Sequence, residues 1–315
     1  MASHATCWIL SDGTRGMEVQ SEAMAQALGF SFEIKRYRPL PLLRAWPRLA
    51  LSGWSPPHDG GDSLAAPWPQ VAIACGRRNA GALLWLKQAS RGQVFSIQIQ
   101  NPKSANKHFD LLITPAHDRV TGGNVLTSTG SLNAINETVL AAAAEAFAAE
   151  LAPLPKPRVA VLVGGSNRRY KLTAADIAGF ANNLADFAVT HGAGLMVSTS
   201  RRTPEHGIAA LQQCLEDVPH LLWAGQGENP YFAYLAAADA IIVTSDSVNM
   251  MSEACATGKP VYIAEIKPEQ GRLKLFQEQL IAAGMARPFD GELETWHYPP
   301  LREAERIAAQ MRRRS

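Results

Sequence analysis

The sequence contains no recognisable metal-binding or disulfide pattern. Its four cysteines are far apart, and no CxxC, HxxxH or DxD pattern occurs in the 315 residues. Cysteines spaced in this way are typical of reduced, buried thiols. A Gly-x-Ser-x-Gly elbow and a GxGxxG fingerprint are also absent, which disfavours a Ser-His-Asp hydrolase and a dinucleotide-binding enzyme. We therefore expect neither a metal nor a cofactor.

Long apolar runs and an excess of one charge sign are absent too. The apolar stretch at residues 140–152 contains Glu145 and Glu150 and is too short to span a bilayer. Thirty Lys and Arg residues against 28 Asp and Glu residues give a net charge of +2, so we expect no nucleic-acid partner. The first residues lack a signal-peptide pattern, which predicts a cytoplasmic protein. Apolar residues make up 47% of the chain, enough for substantial cores.

Short β-branched runs alternate with helical patterns along the chain, which indicates βαβ units around parallel sheets. Residues 152–157 read Ala-Pro-Leu-Pro-Lys-Pro, a stiff linker after which the pattern restarts. We predict an α/β protein of two doubly wound, Rossmann-like domains facing across a cleft. The domains are residues 1–152 and 158–315, joined by the linker 153–157, and the last helix belongs to the second domain or packs back on the first.

The first candidate site is the loop Ser-Asp-Gly-Thr-Arg-Gly at residues 11–16, between a strand and a helix. Gly13 and Gly16 permit a tight turn, and the helix that follows offers free N–H groups and the positive end of its dipole. Asp12 argues against a phosphate deep in the loop, because the two charges have the same sign. We interpret the loop either as an acceptor or sugar contact or as a structural turn.

Two loops of the second half combine small residues with arginines. The first reads Gly-Gly-Ser-Asn-Arg-Arg at residues 164–169, and the second, residues 198–203, reads Ser-Thr-Ser-Arg-Arg-Thr. Backbone N–H groups of the first loop could approach an anion, and the arginines could supply charge-assisted bonds to a diphosphate. The alternative is an ordinary turn. The candidates for nucleotide-sugar binding here are Gly164, Gly165, Ser166, Arg168, Thr199, Ser200, Arg201 and Arg202.

A third segment, residues 243–262, predicts a buried strand ending at Thr244 and then a helix. Asp246 or Ser247 caps this helix, and at 100° per residue Asp246, Asn249 and Glu253 share one face. A carboxylate on this face could accept both hydroxyls of a ribose; the alternative for Glu253 is a solvated helix residue. We assign Asp246, Ser247, Asn249 and Glu253 to nucleotide-sugar binding.

His117 and Asp118 follow the predicted strand 111–114. They form either an acid/base pair facing the cleft or a pair on a surface loop. Together with Asp12 they are our candidates for the catalytic group that takes a proton from the acceptor.

Six segments in this order resemble one known family, the mitochondrial-fission (elongated-mitochondria) proteins, which include many bacterial members. The segments are residues 8–21, 74–78, 94–102, 109–118, 163–166 and 244–254, and they contain Ser-Asp-Gly-Thr-Arg-Gly, Val-Gly-Gly-Ser and Thr-Ser-Asp-Ser. The family is named for a plant protein that recruits a dynamin. It resembles GT-B glycosyltransferases, including the enzyme that adds N-acetylglucosamine to a lipid-linked peptidoglycan precursor.

This resemblance implies roles for particular residues. Glu253 matches the glutamate that binds ribose, and Gly164, Gly165 and Ser166 match the Gly-rich turn near the diphosphate. The acceptor-side residues it implies are Gly13, Gly16, Gln20, Gly76 and Arg77. Two positions depart from the family pattern: Asn101 stands where an acidic residue is expected and Asn133 where the family tends toward His.

We therefore predict a metal-independent GT-B glycosyltransferase that uses a nucleotide-sugar donor and a glycan or lipid-linked acceptor. The alternative is a non-catalytic adaptor of the same fold that binds protein partners or membrane. A nucleotide-sugar epimerase needs more acidic and histidine residues than the sequence offers. Residues 36–57 interleave arginines with leucines and tryptophans and contain no acidic residue, so they either pack on the first domain or contact an anionic membrane peripherally.

Overall fold

A computed structural model describes residues 7–41, 58–166, 171–268 and 270–314. The chain divides into two compact units. Unit one contains residues 1–134 and 302–315, and unit two contains residues 135–301. Among the described residues, no helix combines the length and apolar character needed to cross a membrane.

Unit one is built around a seven-stranded sheet in the order β3-β2-β1-β4-β5-β6-β7, parallel except for β3. The strands are β1 (Cys7–Ser11), β2 (Phe32–Pro39), β3 (His58–Gly61), β4 (Val71–Cys75), β5 (Phe95–Ile99), β6 (Leu111–Pro115) and β7 (Val125–Ser128). Its α-helices are α1 (Arg15–Leu28), α2 (Ala80–Ala89) and the last helix of the chain, Glu303–Arg312.

Alternate residues of the unit-one strands bury opposite faces of the sheet, as the period of two in a strand requires. Cys7 and Ile9 of β1 pack with α1 and with the last helix, which contributes Ile307. Trp8 and Leu10 face the other side, where α2 supplies most of the cover. Helices on both faces of a mostly parallel sheet define a doubly wound unit.

Unit two contains a six-stranded, wholly parallel sheet in the order β10-β9-β8-β11-β12-β13. The strands are β8 (Arg158–Val163), β9 (Gly194–Thr199), β10 (His220–Trp223), β11 (Ala240–Thr244), β12 (Val261–Ala264) and β13 (Ala286–Pro288). The helices are α3 (Glu137–Ala146), α4 (Ala148–Leu151), α5 (Ala174–His191), α6 (Glu205–Cys214), α7 (Tyr231–Ala237), α8 (Val248–Cys255) and α9 (Arg272–Ala282). The last helix, Glu303–Arg312, is α10.

The buried strands of unit two are apolar on both sides. Val159 and Val161 pack under α5 and α6, whereas Ala160 and Leu162 pack under α7, α8 and α9. A capping box formed by Thr173 and Asp176 begins α5. The predicted α/β class with two doubly wound units is confirmed.

The division between the units differs from the boundary predicted at residue 152. Asn136 caps α3 by accepting a hydrogen bond from the N–H of Val139, so the helix predicted from Asn133 begins later. It packs against α7 and belongs to unit two. Helix α10 packs against α1 and belongs to unit one, so the chain ends in the unit in which it starts.

Candidate functional site

Three loops meet at the carboxyl edge of the unit-two sheet, around the side chain of Asp246. Strands β9 and β11 flank β8, so the residues that follow Val163, Thr199 and Thr244 lie side by side. Ligands of open α/β sheets bind at this edge. The predicted placement of the three loops at one edge of one sheet therefore agrees with the geometry.

The carboxylate of Asp246 is buried and holds the three loops together. Its Oδ2 accepts from the N–H of Gly165 at 3.0 Å and from Nη2 of Arg202 at 2.8 Å. Its Oδ1 accepts from the hydroxyl of Thr244 at 2.7 Å. Asp246 thus links the three loops, and its role in nucleotide-sugar binding stays a prediction.

The two glycines after β8 are required by close contacts. A Cβ on Gly164 would lie 2.0 Å from Oδ1 of Asp246, and one on Gly165 would lie 2.1 Å from the carbonyl oxygen of Arg202. Both distances are well inside van der Waals contact, so no other residue fits these positions. The Gly-Gly pair is explained by packing against the neighbouring loops.

Among the described residues of the loop 164–169, the backbone N–H groups of Gly164, Gly165 and Ser166 each donate to an acceptor within the protein. Gly164 donates to Oγ1 of Thr244 at 2.7 Å, Gly165 to Asp246, and Ser166 to the carbonyl of Arg202 at 3.2 Å. Binding of an anion by this turn stays a prediction, and the anion would have to replace these acceptors. Arg168, which was expected to assist it, lies outside the described residues.

The loop after β9 presents charge through its arginines. Thr199 donates its hydroxyl to the carbonyl of Trp223 at 3.2 Å, and Ser200 lies 3.2 Å from the hydroxyl of Thr203, so both hydroxyls face the protein. Arg201 is exposed. Arg202 binds Asp246 and keeps 42% of its side chain accessible. The two guanidinium groups are the candidates for anion binding in this loop.

Thr203 is a site residue that the sequence did not reveal. Its hydroxyl donates to the carbonyl of Gly164 at 2.5 Å and accepts from the N–H of Ser200 at 3.0 Å. Thr203 does not cap the helix that follows, because α6 begins at Glu205 behind Pro204. Nothing in the local sequence distinguishes a threonine that caps a helix from one that ties two loops.

Helix α8 begins behind Ser247, whose hydroxyl accepts from the N–H of Met250 at 3.4 Å. Ser247 is thus the N-cap that the sequence suggested, and Asp246 precedes the helix. Asn249 lies half-buried in the first turn. Glu253 lies one turn further and does not share the contacts of Asp246.

Glu253 forms a buried contact with a tyrosine of a different helix. Its Oε2 accepts from the hydroxyl of Tyr231, the first residue of α7, at 2.7 Å. Burial raises the pKa of Glu253 to about 7, against a smaller lowering by that hydrogen bond. The pKa of Tyr231 is raised well above its usual value, first by burial and then by the charge of Glu253. The carboxyl group therefore changes charge near neutral pH, as binding and catalytic carboxylates often do.

In unit one, the loop after β1 is a structured turn. The N–H of Gly13, with φ +84°, donates to Oγ of Ser11 at 2.9 Å, and the N–H of Thr14 donates to Oδ1 of Asp12 at 3.2 Å. Oδ2 of Asp12 lies 3.7 Å from Nη1 of Arg78. Its carboxylate therefore already has two partners within the protein.

The other acceptor-side candidates take different positions. Gln20 is buried and donates to the carbonyl of Gly16 at 3.3 Å, which supports the first turn of α1. At Gly76, with φ +83°, a Cβ would lie 3.3 Å from the sulfur of Met17. Gly16, Gln20 and Gly76 thus make contacts within unit one, whereas the side chain of Arg77 is exposed.

His117 and Asp118 lie in a short 3-10 turn after β6 and are half-buried. Oδ1 of Asp118 is 3.6 Å from Nζ of Lys103. Of the two departures from the family pattern, Asn101 accepts from the N–H of Lys103 at 2.8 Å, and Asn133 is buried, with Nδ2 3.4 Å from the carbonyl of Ser131.

The segment expected at a membrane begins inside the unit-one sheet. Nε of Arg36 donates to Oε1 of Glu18 at 2.8 Å, and Tyr37 is buried, donating its hydroxyl to Asn79 at 2.8 Å. Tyr37 is therefore part of the unit-one core, and membrane contact by the segment 36–57 stays a prediction. Residues 42–57, which hold most of the predicted segment, lie outside the described residues.

Unit one also contains a cavity of about 410 Å³ at the carboxyl ends of β1 and β2. It is lined by residues 12–14, 36–38, Gly61 and Arg78. Across the residues described in both units, no group of three or more His, Cys, Asp or Glu side chains is arranged to hold a metal ion.

Comparison with known proteins identifies relatives over nearly the whole chain. Residues 15–315 match the family model described as mitochondrial fission ELM1. The mitochondrial fission protein ELM1 of Arabidopsis thaliana is 34% identical over 275 residues, which cover 78% of this chain and 64% of the plant protein. The chain thus spans less than two thirds of the length of that relative.

Solved structures show the same fold at low sequence identity. A UDP-GlcNAc 2-epimerase from Methanocaldococcus jannaschii has a TM-score of 0.58 at 12% identity, over 98% of this chain and 99% of that one. The glycotransferase of kitacinnamycin has a TM-score of 0.50 at 14% identity, over 97% of this chain and 91% of that one. Both likenesses identify the fold as GT-B and leave the reaction open.

Proposed function

The chain belongs to the mitochondrial fission ELM1 family and has the GT-B fold, and on this basis we propose that it is a metal-independent glycosyltransferase. Unit two binds a nucleotide-sugar donor, and unit one binds a glycan or lipid-linked acceptor. The protein acts in the cytoplasm, where residues 36–57 bring it into peripheral contact with anionic membrane.

The observation that carries the proposal is the tie between Asp246, Gly165 and Arg202 at the carboxyl edge of unit two. The tie fixes the guanidinium of Arg202 in place before a ligand arrives, while much of the side chain stays accessible. A charge that is already oriented stabilises a developing anion without reorganisation. A leaving diphosphate is such an anion.

In the proposed reaction, the acceptor oxygen forms a bond to the anomeric carbon of the sugar while the bond from that carbon to the diphosphate oxygen breaks. Arg201, Arg202 and the positive end of α8 stabilise the departing diphosphate. The acceptor proton passes to Asp12, His117 or Asp118. Oδ2 of Asp12 lies 3.7 Å from Nη1 of Arg78, and Oδ1 of Asp118 lies 3.6 Å from Nζ of Lys103, so both carboxylates are held next to a cation.

Glu253 holds the ribose in this proposal. A carboxylate can accept hydrogen bonds from two hydroxyls at once, and Tyr231 already orients one of its oxygens. Because the pKa of Glu253 is about 7, the carboxylate needed for this role forms as the pH rises through neutrality.

A non-catalytic adaptor is the second candidate, and one observation favours it. The N–H groups of Gly164, Gly165 and Ser166 are committed within the protein, which leaves a donor fewer backbone contacts than a Gly-rich turn could offer. Such an adaptor would keep the fold and bind a protein partner or membrane. The epimerase reaction stays the weaker alternative, because it needs more acidic and histidine side chains.

The proposal is tested by measuring release of nucleoside diphosphate from a panel of nucleotide-sugars in the presence of a bacterial membrane and glycan extract and excess EDTA. We expect release with at least one donor, retained in EDTA and lost in the double variant R201Q/R202Q. The matched control is R287Q, a half-buried arginine of β13 whose side chain is 42% accessible, as that of Arg202 is. Release that requires added magnesium or manganese would contradict metal independence, and no release with any donor would favour the adaptor.

A further inference from the structure

The unit-one cavity is lined by three arginines from two parts of the sheet. Arg36 and Arg38 come from β2, and Arg78 comes from the turn after β4. Asp12 provides the only carboxylate among the described lining residues, so basic groups outnumber acidic ones three to one. The cavity is a concave, predominantly basic site in the unit that the proposed function assigns to the acceptor.

Arg36 is fixed by a bidentate ion pair beneath the cavity. Its Nε and Nη2 donate to the two carboxylate oxygens of Glu18 at 2.8 and 3.2 Å, and Ser11 donates its hydroxyl to the same carboxylate at 2.8 Å. These contacts hold the pKa of Glu18 at about 2, so it stays charged. The carboxylates of Glu22 and Asp62 also lie near Arg36, and Asp62 accepts from its backbone N–H. Arg36 therefore forms part of the cavity wall but adds little net positive charge, because its guanidinium is paired with the carboxylate of Glu18.

Arg38 and Arg78 place two further guanidinium groups at the cavity, and Nη1 of Arg78 lies 3.7 Å from Oδ2 of Asp12. Arg38 lies two residues after Arg36, so the two side chains are on the same face of β2. A Cβ on Gly60 would lie 3.2 Å from Nη2 of Arg38, which shows that this guanidinium packs over the glycine of β3. Gly61 is needed as well, because a Cβ there would lie 2.4 Å from the carbonyl of Arg36. The close approach of β3 forms this side of the cavity.

The charge of Asp12 does not prevent an anion from binding here. One oxygen of its carboxylate accepts from the N–H of Thr14, the other faces Arg78, and only 8% of the side chain is accessible. The sequence alone suggested repulsion between Asp12 and a phosphate. The structure turns this carboxylate toward protein donors and leaves the start of α1, the positive end of a 14-residue helix, at the same loop.

We propose that this cavity binds a phosphate or diphosphate group, carried by the acceptor of the transfer. The site follows from the cavity itself, whereas the identity of the molecule as acceptor rests on the proposed function. Planar guanidinium groups match phosphate oxygens in pairs, and a volume of about 410 Å³ admits such a group with a small part of the molecule that carries it. A neutral glycan would leave the arginines without a ligand counter-ion, so a phosphorylated acceptor is the better fit.

The test is calorimetric titration of the full chain with pyrophosphate, inorganic phosphate and malonate. The cavity variant is R38Q/R78Q, which changes two exposed side chains and leaves the pair between Arg36 and Glu18 intact. The matched control is R91Q, an exposed arginine in the turn before β5 and so at the opposite edge of the sheet. A second variant, R201Q/R202Q, removes the arginines of the proposed donor site.

We expect wild type and R91Q to bind pyrophosphate more tightly than malonate, and R38Q/R78Q to bind pyrophosphate at least about tenfold more weakly. The R201Q/R202Q variant should retain this cavity-dependent binding. Equal pyrophosphate affinity of wild type and R38Q/R78Q, no binding by wild type, or equal binding of malonate would overturn the inference. If wild type binds no nucleotide-sugar but still binds pyrophosphate through the cavity, the donor site alone would be refuted.

Discussion

The carboxylate of Asp246 accepts a hydrogen bond from the backbone N–H of Gly165, with 3.0 Å between the nitrogen and Oδ2. The two residues are 81 positions apart, at the ends of neighbouring strands. This bond uses a donor that a Gly-rich turn would otherwise offer to a phosphate. An anion at this edge must therefore be bound mainly by side chains.

Replacement of Asp246 tests whether the tie stabilises unit two. In D246N the side chain keeps its size but loses the charge that accepts from Gly165 and Arg202. We expect the free energy of unfolding to fall by about 1.5–3 kcal/mol, the range for hydrogen bonds to charged groups. Urea denaturation measures the change. D217N alters an exposed aspartate of unit two and should be neutral; equal stability of D246N and wild type would show that the tie contributes nothing.

Alanine at Gly164 tests the close approach of the loops. A Cβ there meets Oδ1 of Asp246 at 2.0 Å, so we expect G164A to lose about 1–3 kcal/mol of stability or more, as overpacked sites do. Gly179 is the matched control, because it lies in the exposed middle of α5 with nothing within 4 Å of a Cβ. G179A should gain about 0.5–1 kcal/mol. Thermal unfolding in which both variants gain stability would contradict the close approach.

The pKa of Glu253 predicts how stability varies with pH. Folding raises this pKa from 4.5 to about 7, so the folded chain binds the proton more tightly than the unfolded chain. This contribution is complete below pH 4.5 and is lost as the pH rises through 7, at a cost of up to about 3 kcal/mol. E253Q, which cannot ionise, should lose less stability than wild type over that interval. Parallel curves for the two proteins would refute the raised pKa.

Removal of the Tyr231 hydroxyl should change the pKa of Glu253. Its hydrogen bond lowers the pKa of Glu253, so in Y231F the pKa should rise further and the loss of stability should begin at higher pH. NMR titration of the Glu253 carboxyl carbon measures the shift. A lower pKa in Y231F than in wild type would show that the hydroxyl does not stabilise the carboxylate.

The segment 40–57 provides a test of membrane contact. Arg44, Trp46 and Arg48 combine charge that attracts anionic head groups, at about 1 kcal/mol each, with a ring suited to the lipid interface. We expect wild type to sediment with phosphatidylserine-containing liposomes and the variant R44E/W46A/R48E to stay in solution. Equal sedimentation of the two folded proteins would leave only a packing role for these residues.

The fold was predictable because buried parallel strands are apolar on both faces and stand out as short β-branched runs between helices. The loops after Val163, Thr199 and Thr244 could likewise be assigned to one edge, since all three follow parallel strands of one sheet. Local rules also identified the capping box of α5 and the cap at Ser247. These signals lie within a few residues of the structure they specify.

The errors arose where partners are distant in sequence. The shared face of Asp246 and Glu253 assumed a helix that includes both, whereas α8 begins at Val248. Tyr231 could not be linked to Glu253, because 22 residues and a whole strand separate them. The ion pair between Arg36 and Glu18 could not be predicted either, because it depends on the register of β1 with β2.

The most direct test of the central claim is calorimetric titration of wild type and E253Q with the nucleotide-sugar that wild type binds best, carried out above pH 7. The account predicts one donor site in wild type, weakened by roughly 1.5–3 kcal/mol in E253Q, and unchanged in E216Q, an exposed glutamate of the same unit. Equal affinity in wild type and folded E253Q, or no binding of any nucleotide-sugar by wild type, would contradict it.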